Sequence, residues 1–113
     1  LLQSSAASDV YKRQASMHKL LKKDNKFCLN LLNSAQKDLA NLCSSEEDGE
    51  SRFSKGQWLK YDPSYLSDAQ SNIFCTMDEI YTFNSHSLVV GKIYELKHSG
   101  TKDPLIYQDG DYE

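Results

Sequence analysis

The chain has 113 residues, a formal net charge of −3, 39% hydrophobic and 26% charged residues, which fits one domain of ordinary globular composition with a modest core. The mild acidity argues against nucleic acid as a main partner, because phosphate binding needs clustered Lys and Arg, and the one basic run (Lys19, Lys22, Lys23) is short and followed by Asp24. No apolar run approaches bilayer-spanning length, no secretory pattern stands at the start, and three cysteines without close spacing (Cys28, Cys43, Cys75) give neither a disulfide framework nor a zinc site, so the expected setting is reducing and cytoplasmic.

In chain order, Ser4 to Gln14 (SSAASDVYKRQ) comes first. It is rich in Ser and Ala, has no periodicity, and holds only Val10 and Tyr11 as sizeable apolar groups. Over its whole length it resembles the translation of a transposase adapter used in preparing DNA sequencing libraries. Residues 1–14 are therefore expected to be non-native and disordered, a natural disordered tail being the other reading. Residues 15–113 are then expected to be a partial domain whose N-terminal piece lies upstream of Ala15.

Ser16 reads as the N-cap of a short helix over 17–23, with Met17, Leu20 and Leu21 on one face and Lys22 and Lys23 near its C-terminal end. Asp24-Asn25 ends it. Phe27 to Leu32 (FCLNLL) is an apolar run of strand length, interrupted by Asn30, whose buried side chain would need a partner. Asn33 and Gln36 have the offset of a capping box, and Ala35, Leu39, Leu42 and Cys43 follow at helical spacing, which predicts a helix over 34–42.

Residues 44–56 (SSEEDGESRFSKG) form a long polar loop. Its carboxylates Glu46, Glu47, Asp48 and Glu50 lack the alternating spacing of a calcium loop and read as a solvated acidic stretch. Phe53 and Trp58 are aromatic anchors near its end, and 61–67, with Pro63, reads as irregular. Residues 68–83 then predict a long strand with Ile73, Cys75 and Met77 on one face and Phe74 and Thr76 on the other. Asn84-Ser85 supplies a turn into a second strand over 87–96, with Gly91 inside it, and a short strand over 105–107 is followed by an Asp109-Gly110 turn. Pattern alone thus predicts a mainly β chain with short helices, a barrel or a sandwich, and no function.

Four segments in order carry a resemblance. They are Ala15-Ser16-Met17-His18; Phe27-Cys28-Leu29-Asn30-Leu31-Leu32 followed by Gln36 and Leu39-Ala40; Arg52-Phe53 with Trp58 after it; and the pair formed by Ser85-His86-Ser87-Leu88-Val89-Val90-Gly91 with the closing Asp103-Pro104-Leu105-Ile106-Tyr107, Gly110 and Tyr112. Together they resemble the flavin reductase family, FMN-binding split-barrel proteins known as reductase components of two-component monooxygenases. The match runs over essentially all of 15–113. Asn84-Ser85 stands where the family often has Gly-Asp, and the family's N-terminal strands would lie upstream of Ala15.

The resemblance implies a split β-barrel, incomplete without those strands, that binds FMN (or FAD) and takes NADH or NADPH as co-substrate. It implies a homodimer, a partner oxygenase, and few catalytic side chains, since flavin and nicotinamide carry such chemistry themselves. Its candidate cofactor-binding residues are Ser16, Phe53, His86, Gly91 and Tyr112. Each has a plainer reading: an N-cap for Ser16, a loop anchor for Phe53, a solvated turn histidine for His86, a bulge for Gly91 and chain-end packing for Tyr112. A flavin-binding protein without turnover, and a fragment without activity, stay open beside the reductase.

Overall fold

The computed structural model describes residues 8–12, 22–44, 53–100 and 103–112. Its elements are β1 (Ser8–Lys12), β2 (Lys26–Leu31), α1 (Lys37–Ser44), β3 (Trp58–Leu59), β4 (Tyr65–Leu66), β5 (Ser71–Phe83), β6 (His86–His98), β7 (Tyr107–Gln108) and β8 (Asp111–Tyr112). Four strands form one sheet in the order β1-β6-β5-β2, and β3-β4 and β7-β8 form two small two-stranded ladders. The expectation of a mainly β chain holds, with one α-helix among the described residues. The chain separates into two compact units, Leu1–Leu29 with Ile73–Leu96, and Asn30–Asn72 with Lys97–Glu113.

In the first unit, β1 falls inside the segment expected to be disordered. It pairs antiparallel with the start of β6, from Ser8 opposite Val90 to Lys12 opposite His86. The physical reason is that Val10 and Tyr11 suit an extended backbone, and a strand edge accepts such a segment through main-chain hydrogen bonds. The helix expected over 17–23 lies outside the described residues except for Lys22 and Lys23, which are not helical. Asp24-Asn25, expected to end that helix, stands at a turn. Asp24 has a φ of 70°, and the Asn25 N–H donates to the Lys22 carbonyl at 3.1 Å. Backbone bonds from Asp24 N–H to Met77 O (2.9 Å) and from Met77 N–H to Asn25 O (2.8 Å) then join this turn to β5.

The core of this unit gathers Met77 and Val89, with Phe27 and Ile80 packed against them. Along β6, Ser87, Val89 and Gly91 are buried in alternation, as a strand with one covered face requires. β5 departs from the expected alternation. Asn72, Ile73, Phe74 and Cys75 are buried in succession, so both faces of the strand are covered there. The two strands meet at Asn84-Ser85, with Asn84 at a φ of 47°, the left-handed geometry that Asn tolerates.

The second unit is organised by α1. The helix begins at Lys37, three residues later than expected, because Asn33 to Gln36 closes a turn of its own. The Asn33 N–H donates to Gln36 Oε1 (2.9 Å), the Gln36 N–H donates to the Asn33 carbonyl (3.0 Å), and the Ala35 N–H donates to Asn33 Oδ1 (3.0 Å). Both side chains also donate to the Asp68 carbonyl, at 2.9 Å from Asn33 and 3.1 Å from Gln36. Leu39 of the helix packs with Leu66 and Ala69, and Leu32 and Trp58 border them.

Residues 61–67, read as irregular, contain β4. Trp58 lies opposite Leu66 and Leu59 opposite Tyr65 in an antiparallel ladder. The turn into it needs Gly56, which has a φ of 84° and on which a Cβ would lie 2.5 Å from Leu66 Cδ1. At the chain's end, β7 and β8 pair through Asp109 and Gly110, both at positive φ, the primed two-residue turn that Asp-Gly favours.

Candidate functional site

The candidate residues divide between the units. Ser16 lies outside the described residues. His86 and Gly91 share strand β6 in the first unit, and Phe53 and Tyr112 belong to the second.

His86 is half-buried at the first position of β6, directly after the hairpin turn. Its Nδ1 lies 2.9 Å from the Ser85 hydroxyl. In the tautomer in which Ser85 donates to Nδ1, the Nε2–H remains a donor for a group outside the chain. The two-residue turn positions this pair. The left-handed Asn84 reverses the backbone, and Ser85 is short enough to bond its neighbour's ring.

Gly91 is five residues further along β6 and on the opposite face from His86, since side-chain direction alternates. A Cβ there would lie 2.7 Å from Phe27 Cζ and 3.2 Å from Cys75 Cβ. The absent side chain makes room for the Phe27 ring. That packing is a sufficient reason for glycine at this position, and it was not among the readings drawn from the sequence.

Cys75, against Gly91, and Cys28 form no disulfide. Burial first, then the neighbouring Cys75, pushes the Cys28 thiol up to about 12, while burial raises Cys75. Neither is a nucleophile near neutral pH.

In the second unit Phe53 is 52% exposed and sets its ring edge-on to Trp58, with centroids 5.0 Å apart and planes at 70°. Trp58 is held in turn, its Nε1–H donating to the Lys55 carbonyl at 2.8 Å. Phe53 is thus an exposed aromatic surface on a fixed backing. Tyr112, half-buried on β8, packs edge-on against Tyr107 across the closing hairpin (5.0 Å, 61°), as a chain-end packing role requires.

Three arrangements escaped the sequence reading. Asn30 Oδ1 accepts from the Asn72 side chain (2.8 Å) and from the Leu66 N–H (3.1 Å), and Asn72 Nδ2 also donates to the Leu66 carbonyl (3.0 Å). Lys97 places its ammonium 5.9 Å from the Tyr61 ring and 5.6 Å from the Tyr65 ring, two rings that meet edge-on. Ser71 and His98 pair their side chains at 2.7 Å. Only the first left a trace in the sequence, as an Asn inside an apolar run.

A family model, the flavin reductase like domain, matches residues 8–113. The chain belongs to that family. Among curated relatives of this flavin reductase-like domain, the reductase component of an FADH(2)-dependent resorcinol hydroxylase from Rhizobium sp. (strain MTP-10005) is 29% identical over 98 residues, 85% of this chain and 55% of that protein. The FMN reductase (NADH) RutF of Agrobacterium fabrum is 26% identical over 97 residues, 84% of this chain and 56% of its own length. The flavin reductase-like chain therefore spans little more than half the length of these relatives.

Among solved structures, a flavin reductase from Haemophilus somnus 129pt superposes with a TM-score of 0.86 at 27% identity, covering 94% of this chain and 69% of that one. The NADH:FAD oxidoreductase of Streptomyces globisporus C-1027, solved with NAD and FAD fragments, superposes at 0.83 with 15% identity, covering 94% and 65%, which bears on the fold alone. The fold class expected from the resemblance is thereby established.

Proposed function

We propose that the protein carrying this chain is an NAD(P)H-dependent flavin reductase that supplies reduced FMN (or FAD) to a partner monooxygenase. The family match over 8–113 carries the reading. It is supported by relatives whose own names are a hydroxylase's reductase component and an NADH-dependent FMN reductase. Among the described residues no helix is long and apolar enough to cross a membrane, which is compatible with work in the cytoplasm. Action as a homodimer belongs to the same proposal.

Two of the candidate residues carry features that suit such a cofactor, each within its own unit. An exposed phenyl face at Phe53 offers a stacking surface, and His86, its Nδ1 engaged by Ser85, offers a ring N–H. When bound, the flavin supplies the hydride-accepting centre. The chain's own task is to hold and orient. His86 donates a hydrogen bond to the nicotinamide or the flavin, Phe53 covers the flavin edge and excludes water, and Ser16 offers a hydroxyl to a polar group of the cofactor. Gly91 acts through its backbone and the packing of Phe27, and Tyr112 borders the nicotinamide side.

The test is NADH oxidation by the complete reading frame that contains residues 15–113, with and without added FMN. FMN-dependent oxidation is expected. His86→Ala is then expected to slow turnover on the order of tenfold with flavin affinity unchanged, the loss of one hydrogen bond made during reaction. A protein that binds FMN and leaves NADH untouched sinks the reductase reading.

A further inference from the structure

The β3-β4 ladder has two residues in each strand, too few to fix its own place by main-chain bonding. Besides the main-chain bond from the Ser67 N–H to the Gln57 carbonyl (2.8 Å), side chains hold it in place. Leu66 is fully buried against Leu39 and Ala69, and both of its main-chain polar groups bond to asparagines from β2 and β5, the carbonyl also accepting from the Ala69 N–H at 3.2 Å. Its N–H donates to Asn30 Oδ1 at 3.1 Å, and its carbonyl accepts from Asn72 Nδ2 at 3.0 Å. The two amides are joined to each other at 2.8 Å, so each orients the other. Across the ladder from Leu66 stands Trp58, and against Trp58 stands Phe53.

We propose that Asn30 and Asn72 are positioning residues that set the flavin-covering ring of Phe53, by clamping the backbone of Leu66 and through it the Trp58 side of the ladder. The part that concerns flavin rests on the reductase reading; the clamp itself does not. The amides suit the task because one carbonyl oxygen accepts two donors and one NH₂ group gives two, whereas a hydroxyl has a single proton to give. Removing the acceptor leaves a buried N–H without its partner, and the segment must shift toward water to satisfy it.

Trp58 is the one tryptophan of the chain, so its emission reports the ladder directly. The variants are Asn30→Leu, which removes the acceptor at similar volume, Asn30→Asp, which keeps it, and Asn72→Ala, which removes the other arm. Each is made in the 113-residue chain, checked by far-ultraviolet circular dichroism, and read by Trp58 emission and by titration with FMN. Asn30→Leu and Asn72→Ala are expected to red-shift the emission and raise the FMN Kd roughly tenfold, the scale of one lost buried hydrogen bond. Asn30→Asp is expected to restore both.

Unchanged emission in either disabling variant overturns the clamp, as does an Asn30→Asp chain that behaves like Asn30→Leu. Should Asn30→Leu fail to fold, Asn72→Ala carries the same readouts. Shifted emission with an unchanged FMN Kd overturns the link to Phe53 while leaving the ladder held as described. If the unaltered 113-residue chain binds no FMN, the emission alone decides the clamp, and the Kd comparison is made in the complete reading frame.

Discussion

The three cysteines differ in what surrounds them, and chemistry should tell them apart. Cys43 is exposed on α1, whereas Cys75 is buried and Cys28 is pushed up to about 12 by burial and by Cys75. Iodoacetamide at pH 8 should modify Cys43 first and leave the other two until the chain unfolds, which mass spectrometry of the alkylated protein will show. The raised thiols also bear on stability. In the unfolded chain Cys28 ionises near the ordinary thiol value, so between there and about 12 the unfolded state sheds a proton that the folded state keeps, and Cys75 is shifted in the same direction. Stability from this source is complete below roughly pH 8.5 and falls as pH rises, and thermal unfolding measured from pH 8 to 11 should show a falling midpoint.

Gly91 makes a sharper demand. Gly91→Ala sets a methyl 2.7 Å from the Phe27 ring and should cost about 1–3 kcal/mol in urea unfolding. Adding Phe27→Leu should recover part of that loss, and an additive double variant would contradict the packing account. Glycine in this strand was legible as a special position, read as a cofactor contact or a bulge. Which group approaches was not, because the ring comes from a strand that is not β6's neighbour in the sheet.

At the level of elements, the strongest local signals were the turns. Asn84-Ser85 and Asp109-Gly110 reverse the chain where their chemistry said they would, with Asn84 and Asp109 at positive φ. The Asn33 and Gln36 pairing was legible from its offset, but its consequence was misjudged. Both side chains are drawn to the Asp68 carbonyl, 32 and 35 residues away, so residues 33–36 become a turn and the helix starts at Lys37. Such distant partners are invisible to spacing rules, which also explains why β3 and β4 went unread around Pro63. Because Gln36 bonds at both ends, Gln36→Ala should destabilise the chain by about 1–2 kcal/mol, with helical circular dichroism reduced. A change below about 0.5 kcal/mol would mean that water replaces these bonds freely.

For the molecule as a whole, family and fold class were legible from ordered motifs that are individually weak, and the match extends to residue 8. The N-terminal strand was not legible. β1 is tied to β6 through backbone register from 86 to 90, a bond that reads no side-chain pattern. Deleting residues 1–14 should leave that stretch of β6 unpaired and raise self-association, visible as increased light scattering on warming. A truncated chain that stays dispersed and unfolds at the same temperature would show that β1 contributes nothing to the fold. We propose that residues 1–14 are foreign to the native reading frame. A strand of that origin would be tolerated for the same reason, since main-chain pairing asks only for an extended and unobstructed segment.

The asparagine pair on Leu66 has an evolutionary corollary. A loop normally owes its exit position to its own length and turn sequence, so insertions displace whatever follows. Here the exit is bolted by side chains from β2 and β5, and Lys60 to Ser64 are relieved of that duty. Lengthening a connection costs little closure entropy once its ends are fixed elsewhere. This short stretch is therefore where relatives can diverge in length and chemistry, and where a designer can graft a new peptide, while the aromatic face beyond it keeps its place.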